Sequence, residues 1–327
     1  KCNICIIMIL SKTPLRISFC GGGSDYFNYL KKTKGRVIVT SIDKYIYVLL
    51  NKKHNNEVRV SYSETENVEK TKNIKHQIIR ESLKFFKIED SIEVVTVADI
   101  PSSGSGLASS SALTVGLVNA LSNYKNLKIN KKTLAKKACE IEINKCEKPI
   151  GMQDQYSTAY GGFNKIEFFD NRVKVTKINL NNKIEDDFKN HLMLFYTGIN
   201  RKADKILGNI KKSGKQFVNY EKLSTLAKNF EDELVNGNIL NCGKILHQNW
   251  MLKKNLDQGV STLDLDKIYQ SAINAGAEGG KILGAGGGGF FLFIAKPKCQ
   301  KKIIKKLNKL KFINFNFEKD GSKIFEV

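Results

Sequence analysis

No apolar run in this chain is long enough to cross a bilayer. The first hydrophobic stretch, Ile4 to Leu10, is far shorter than the ~20 residues a spanning helix needs, and no small-residue cleavage site follows it. A membrane partner is therefore not expected. Acidic residues are also scarce: 32 Asp and Glu stand against 54 Lys and Arg, a formal net charge of +22 over 327 residues. Such a surplus suits nucleic acid, anionic lipid or an anionic small substrate. The lysines, however, are spread among asparagines, and the densest run, Lys296 to Lys311, alternates with apolar residues as a solvated helix face does. Without a concentrated basic stripe or an RNP-type aromatic pattern, a nucleic-acid-binding protein is the weaker alternative. The seven cysteines make no metal pattern, since only Cys2 and Cys5 share a ligand-like spacing and no second pair or histidine stands near. Most of the others sit in apolar surroundings and read as reduced core thiols, which favours a cytoplasmic location. Linkers of low complexity and internal repeats are missing too. The chain opens on Lys1, and with Met8 just before the first patterned segment the fold is expected to begin there.

Familiar phosphate loops are missing as well. Gly208 to Gly214-Lys215-Gln216 has the wrong gap for a Walker A loop and lacks its hydroxyl. Gly284-Ala-Gly286-Gly287-Gly-Gly289 satisfies a dinucleotide fingerprint but runs into Phe290-Phe-Leu-Phe-Ile294, a strand rather than a helix. The protein-kinase signatures do not occur. What does occur is Pro101-Ser-Ser103-Gly104-Ser105-Gly106-Leu107-Ala108-Ser109-Ser110-Ser111-Ala112, between a strand-like Ile92 to Val97 and a helical Leu107 to Leu121. Glycines there let the backbone approach a ligand, and the first amides of the helix are orphan donors at its positive end. The plain alternative is a serine N-cap on a core helix.

Upstream, Thr13 to Cys20 alternates like a strand and ends in Gly21-Gly22-Gly23-Ser24-Asp25-Tyr26. Arg16, charged amid apolar residues, needs an acidic partner or an anionic ligand. Strands are expected at Val37 to Leu50 and Val58 to Val60, and a helix at Ile74 to Phe86. Downstream, Lys131 to Glu147 reads as a helix whose stripe Ala135, Ala138, Cys139, Glu142, Cys146 is apolar except for one carboxylate. Glu142 must be paired, protonated or bound to a cation. A Gly151 to Gly162 segment then sets Asp154 among amides and glycines, a loop composition suited to a cleft. Two strands follow, Lys165 to Phe169 and Val173 to Leu180. An Asn/Asp/Lys-rich segment, Asn181 to Asn190, is expected as the boundary between domains spanning 8–185 and 186–327. The second half, from the strand His191 to Tyr196 and Thr197 to Lys202 through long helical patterns, reads as α+β.

Three stretches, Thr13 to Tyr26, Pro101 to Ala112 and Lys281 to Gly289, in this order and with the Asp154 segment between the last two, resemble those of the GHMP sugar and metabolite kinases. The resemblance runs from Thr13 to the end of the chain. It implies a two-domain α+β fold, with an N-terminal half like ribosomal protein S5 domain 2 and a ferredoxin-like C-terminal half, and ATP and substrate in the cleft between them. By the same resemblance the Pro101 to Ser111 loop holds ATP, Ser110 and Glu142 hold Mg2+, Asp154 takes the proton of the attacking hydroxyl, and Arg16 neutralises charge. Asp25 would hold sugar hydroxyls within Gly21 to Tyr26, with Gly286 and Gly287 also at the substrate. Galactokinases carry Gly-Glu-His-Thr-Asp-Tyr where this chain has Gly21 to Tyr26, and the smaller residues leave room for a longer sugar. Within the family the pattern is most like that of enzymes phosphorylating the anomeric hydroxyl of D-glycero-D-manno-heptose 7-phosphate, for surface polysaccharide, with fucose kinases next. Arg201 and Lys202 are the candidates for that substrate's own phosphate, and Tyr62 to Lys75 for the adenine wall.

Overall fold

The computed structural model of the chain describes residues 8–30, 33–101, 104–170, 172–199, 206–208 and 217–326. One long strand, β2 (Gly35–Lys52), organises the first half. Its run of valines, isoleucines, threonine and tyrosines favours extended backbone. Burial is continuous from Val37 to Ile42 and alternates from Ile46 onward. At 18 residues the strand is long enough to serve several neighbours. It pairs antiparallel with β1 (Ile9–Cys20) over most of its length, with β6 (Phe163–Phe169) through residues 35–40, and with β5 (Ile92–Ala98) through residues 46–52. Between Pro14 and Leu15 the β1 register jumps from Tyr45 to Ile42. That bulge falls where proline has no N–H to give the ladder.

The sheet continues outward from β5 to β3 (Val58–Ser61) and β4 (Thr65–Val68), and from β6 to β7 (Arg172–Lys177). Two strands from the far end of the sequence complete it: β12 (Phe317–Glu318) pairs with the middle of β2, and β13 (Lys323–Glu326) with β1. Helix α3 (Ser109–Tyr124) packs on β1 and β2, beside α4 (Lys131–Cys139) and α5 (Gln153–Tyr160). Short α1 (Phe27–Leu30) follows the first glycine turn, and α2 (Gln77–Phe85) packs on α3.

The second half holds an antiparallel sheet ordered β11 (Lys311–Ile313), β8 (Leu192–Tyr196), β10 (Phe290–Ala295), β9 (Ala277–Ile282). Every residue of β10 is buried. Helices α7 (Phe217–Val235), α8 (Ile239–Lys254), α9 (Leu263–Asn274) and α10 (Pro297–Lys306) accompany it, α8 lying on β9 and β10. This is the α+β organisation expected from the sequence. Among the described residues no helix is long and apolar enough to cross a membrane.

Three local expectations change. The polar boundary segment is a helix, α6 (Asn182–His191), capped by the Asn181 side chain accepting from Ile184 N. Its asparagines and acids supply a cap and a solvent face, while buried Phe188 anchors it. The expected helix through Glu147 is α only to Cys139 and then widens into a π turn over Glu140–Lys145. Asp154 stands in the first turn of α5 rather than in a loop.

The two halves meet through glycine backbone. Gly106 and Gly284 both have positive φ, 76° and 67°. A Cβ on Gly284 would lie 2.4 Å from the Gly106 Cα, and one on Gly106 would lie 2.4 Å from the Leu283 carbonyl oxygen. Neither position has space for a side chain. Gly106→Ala is expected to cost about 2 to 4 kcal/mol, the sum of left-handed strain and overpacking, read as a lower urea midpoint with unchanged slope.

Candidate active site

The Gly104 to Ala108 turn leads from β5 into α3. Gly104, Gly106 and Ala108 all take positive φ. The residue at the cap position is Ala108, with no side-chain cap, so the serine N-cap reading does not hold. Ser105 Oγ bonds Ser109 Oγ at 2.8 Å and accepts from Leu107 N at 3.3 Å, bracing the turn from within. The first turn of α3 is thus left with orphan backbone donors at its positive end. Leu107 and Ala108 are buried, Pro101 and Ser110 exposed, and Ser103 lies outside the described residues.

Arg16, almost fully buried on β1, reaches this turn and α5 together. Its Nη1 donates to the Gly106 carbonyl at 2.8 Å, while Nε and Nη2 both donate to Asp154 Oδ1 at 2.9 and 2.7 Å. No described residue bonds Asp154 Oδ2. Arg16 thus has its acidic partner, and that partner is itself part of the cleft.

Glu142 is 1% exposed, as the helix stripe required. The π turn brings its carboxylate to α3, where Ser110 Oγ donates to Oε1 at 2.5 Å, and Ser111 Oγ and Gln155 Nε2 to Oε2 at 2.7 and 2.6 Å. No basic side chain pairs with it among the described residues, so a buried salt bridge does not account for it. Burial pushes its carboxyl above the usual carboxylate range; the three donors pull the other way, and nearby Asp154 adds to the rise.

Asp25 is also buried. Its Oδ1 accepts from Gly23 N at 3.0 Å and Gln153 Nε2 at 3.1 Å, its Oδ2 from Gln153 N at 3.0 Å. Burial raises its carboxyl too, against those backbone donors. Gly151 must be glycine here, because a Cβ would stand 2.0 Å from Asp25 Oδ2.

These groups converge on a cleft of about 680 Å³, its open mouth included, lined by Arg16, Asp25, Asp154, Tyr220, Lys253 and Lys281 among others. Gly22, Gly23 and Tyr26 line it as expected. Gly21 and Ser24 face β2 instead: a Cβ on Gly21 would meet the Arg36 carbonyl, and Ser24 Oγ exchanges bonds with Arg36 N and the Gly21 carbonyl. Gly284 and Ala285 line the cleft, whereas Gly286 and Gly287 pack on Val260. Arg201 and Lys202 lie outside the described residues. Tyr62 to Lys75 contains β4, with buried Glu66 accepting from Tyr62 Oη and from the Lys75 and His76 amides.

Sequence reading missed the two cleft lysines. Lys281 is 2% exposed, and its Nζ donates to the Ser18 and Phe19 carbonyls at 3.0 and 2.9 Å. Burial lowers its ammonium to about 8. Lys253 falls on the buried stripe Leu246, Asn249, Trp250 of α8. A charged residue on an apolar helix stripe marks Lys253 as it marks Glu142.

The GHMP kinases N terminal domain matches residues 72–162, and the GHMP kinases C terminal domain residues 230–312. A D-glycero-alpha-D-manno-heptose 7-phosphate kinase of Campylobacter jejuni is 32% identical, over 98% of this chain and 99% of its own. A galactokinase of Pyrococcus furiosus is 28% identical over 89% of this chain and 90% of its own. The crystal structure of a D-glycero-D-manno-heptose 1-phosphate kinase from Bacteroides thetaiotaomicron superposes with a TM-score of 0.80 at 23% identity, covering 98% of this chain and 99% of the other. Matched in both halves by the family and over 98% of its length by the Campylobacter jejuni enzyme, the chain belongs to the GHMP kinases and is a sugar kinase of that type, a phosphotransferase to an alcohol group.

Proposed function

We propose that the chain transfers the γ-phosphoryl group of ATP to the anomeric hydroxyl of D-glycero-D-manno-heptose 7-phosphate, giving the 1,7-bisphosphate for nucleotide-activated heptose. The observation that carries this reading is the 32% identity, end to end, to the Campylobacter jejuni heptose 7-phosphate kinase. The Gly22 and Gly23 backbone beside Asp25 supports a sugar longer than a hexose, because neither residue puts a side chain of its own into the cleft, where the Tyr220 ring and the Gln153 side chain stand beside them.

In this reading the uncapped amides of Ser109 to Ser111 bind the ATP phosphates. Asp154 Oδ2 accepts the hydroxyl proton, since Oδ1 is already held by Arg16. The guanidinium sets the orientation of that carboxylate and offsets charge on the transferring group. Asp25, fixed by the Gln153 and Gly23 amides, keeps lone pairs for a sugar hydroxyl.

A divalent cation fits Ser110 and Glu142. A carboxylate that is buried, raised and without a basic partner lacks its counter-ion, and hydroxyl plus carboxylate are the hard oxygen donors magnesium takes. Among the described residues no group of three or more His, Cys, Asp or Glu forms a full cage. Magnesium commonly takes only one or two carboxylates and completes its shell with phosphate oxygens and water. Held by Ser110 and Glu142, the ion would supply positive charge that offsets the negative charge of the ATP phosphates.

The substrate assignment is tested by a panel of sugars with and without a terminal phosphate. Heptose 7-phosphate is expected to exceed fucose and unphosphorylated heptose in kcat/KM by about 100-fold, the loss expected when a charge-assisted phosphate contact goes unmade. Turnover of fucose with heptose 7-phosphate inert would overturn it in favour of a fucose kinase. Asp154→Asn, which keeps an oxygen for Arg16, is expected to lower kcat by roughly 100-fold or more with ATP binding near wild type; unchanged kcat removes Asp154 from the chemistry. Glu142→Gln is expected to raise the magnesium concentration for half-maximal rate about tenfold or more. The metal-free variant should melt no lower than wild type. A carboxyl raised by folding binds its proton more tightly in the native state, so its charged form opposes folding once pH exceeds the native pKa. The Gln155 carbonyl, otherwise unpartnered, can turn to accept the new amide.

A further inference from the structure

Lys253 is a charged cleft side chain to which neither the sequence motifs nor the mechanism above gives a task. It sits at the end of α8, 8% exposed, and its described hydrogen bond is from Nζ to the Gly284 carbonyl. That leaves two ammonium donors unaccounted for. No carboxylate forms an ion pair with it among the described residues, in contrast to Arg16 with Asp154. A buried cation without a carboxylate partner is costly in free energy. The charged and titratable groups lining the same cleft are Arg16 on β1, Asp25 in the first glycine turn, Tyr26, Asp154 on α5, Tyr220 on α7 and Lys281 on β9. Burial, together with the like charges of Lys281 and Arg16, holds the Lys253 ammonium well below the usual lysine range, while Asp154 and Asp25 oppose that only in part.

Its position along the cleft is set by the glycine junction. Gly284, whose carbonyl Lys253 holds, abuts Gly106, whose carbonyl Arg16 holds. The two cations therefore grip adjoining backbone on either side of the place where the α3 turn meets the second half. This is the Asp154 end of the cleft. We propose that Lys253 is a second catalytic cation, closing with Arg16 on the phosphoryl group in transit, so that the second half of the molecule supplies charge to a reaction whose other assigned groups come from the first half.

The inference rests on the phosphoryl-transfer reading and on no particular sugar. As the sugar oxygen bonds to the γ-phosphorus, the bond from that phosphorus to the β,γ-bridging oxygen breaks. Its electron pair stays with the bridging oxygen, which departs with ADP, and the hydroxyl proton passes to Asp154. Negative charge is spread over the three non-bridging oxygens throughout; those oxygens supply the anion that buried Lys253 lacks, and the ammonium they hold charged stabilises that state.

Three substitutions separate charge from packing. Lys253→Met removes both the charge and the bond to Gly284, Lys253→Gln keeps a donor for that carbonyl, and Lys253→Arg keeps the charge. With the sugar that wild type turns over, the Met and Gln variants are expected to lose about 100-fold or more in kcat, with the sugar KM within about threefold, and Arg to recover at least tenfold of the loss. Binding supplies a readout independent of turnover. The affinity of ADP with aluminium fluoride and the sugar should fall in the Met and Gln variants by a factor close to the kcat loss, while that of ADP alone is unchanged. Full rescue by Gln, or a loss that appears as a lower melting temperature, would make Lys253 an anchor of the glycine segment and overturn the proposal. A rise confined to the sugar KM would overturn it in favour of a contact to the sugar. If the Met variant does not fold, Gln and Arg still decide. A wild type inert toward every sugar would instead sink the functional reading, and the aluminium fluoride complex formed without sugar would still test the lysine.

Discussion

Gly106 and Gly284 meet with nothing but main chain between them, and the two cations that face each other across the cleft take their positions from that contact. Backbone approach this close is available only to residues without a Cβ, and both sit at φ values that other residues adopt with strain. Because Arg16 and Lys253 each hold a carbonyl at this seam, the seam also aligns charges that belong to different halves. A spacing fixed by backbone contact varies less than one fixed by long side chains. For phosphoryl transfer, where orientation and charge account for most of the rate, that rigidity is the functional gain.

Around the seam lie buried ions that have no opposite charge paired with them among the described residues. Glu142 has three hydrogen-bond donors there and no cation; Lys253 has a carbonyl and no ion-paired carboxylate. Asp25 is held by amides alone. Left in this state they cost stability, which a fold tolerates at a site where a ligand of high charge completes them. A metal–polyphosphate complex carries both missing signs, positive at Glu142 and negative at Lys253. Arg16 and Asp154 differ because they already neutralise one another, and so can hold their geometry before any substrate arrives.

The parts legible in the sequence were those where chemistry and periodicity conflict. Glu142 on an apolar stripe, and Arg16 inside an alternating strand, each demanded a partner, and each has one in the structure or lacks it in a way that implies a ligand. The order of the glycine stretches carried the fold class. Lys253 obeyed the same rule on α8 and was passed over because no glycine motif drew attention to that helix. The π turn at Glu140 was beyond periodicity, since one widened turn shifts the stripe too little to register in a short helix. Segment 182–191 misled because cap and surface residues are also loop residues, and only Phe188 with its buried ring distinguishes the two. Which of Gly21 to Ser24 face the cleft depends on contacts with Arg36, far enough away in sequence to leave no local trace.

The return of β12 and β13 to the first sheet bears on how the two halves are held together. Both ends of the second half are thereby fastened to one body: it leaves after β7 and comes back at Phe317, which pairs with Ile42 in the middle of β2. Between those ends α7 packs on β1 and β2, with Phe230 stacked on Phe19. The second half is thus a loop of chain clasped to the first sheet at both ends and along one helix. Separating the halves would break strand pairing and helix packing together, so the spacing of Arg16 and Lys253 is kept for as long as the fold stands.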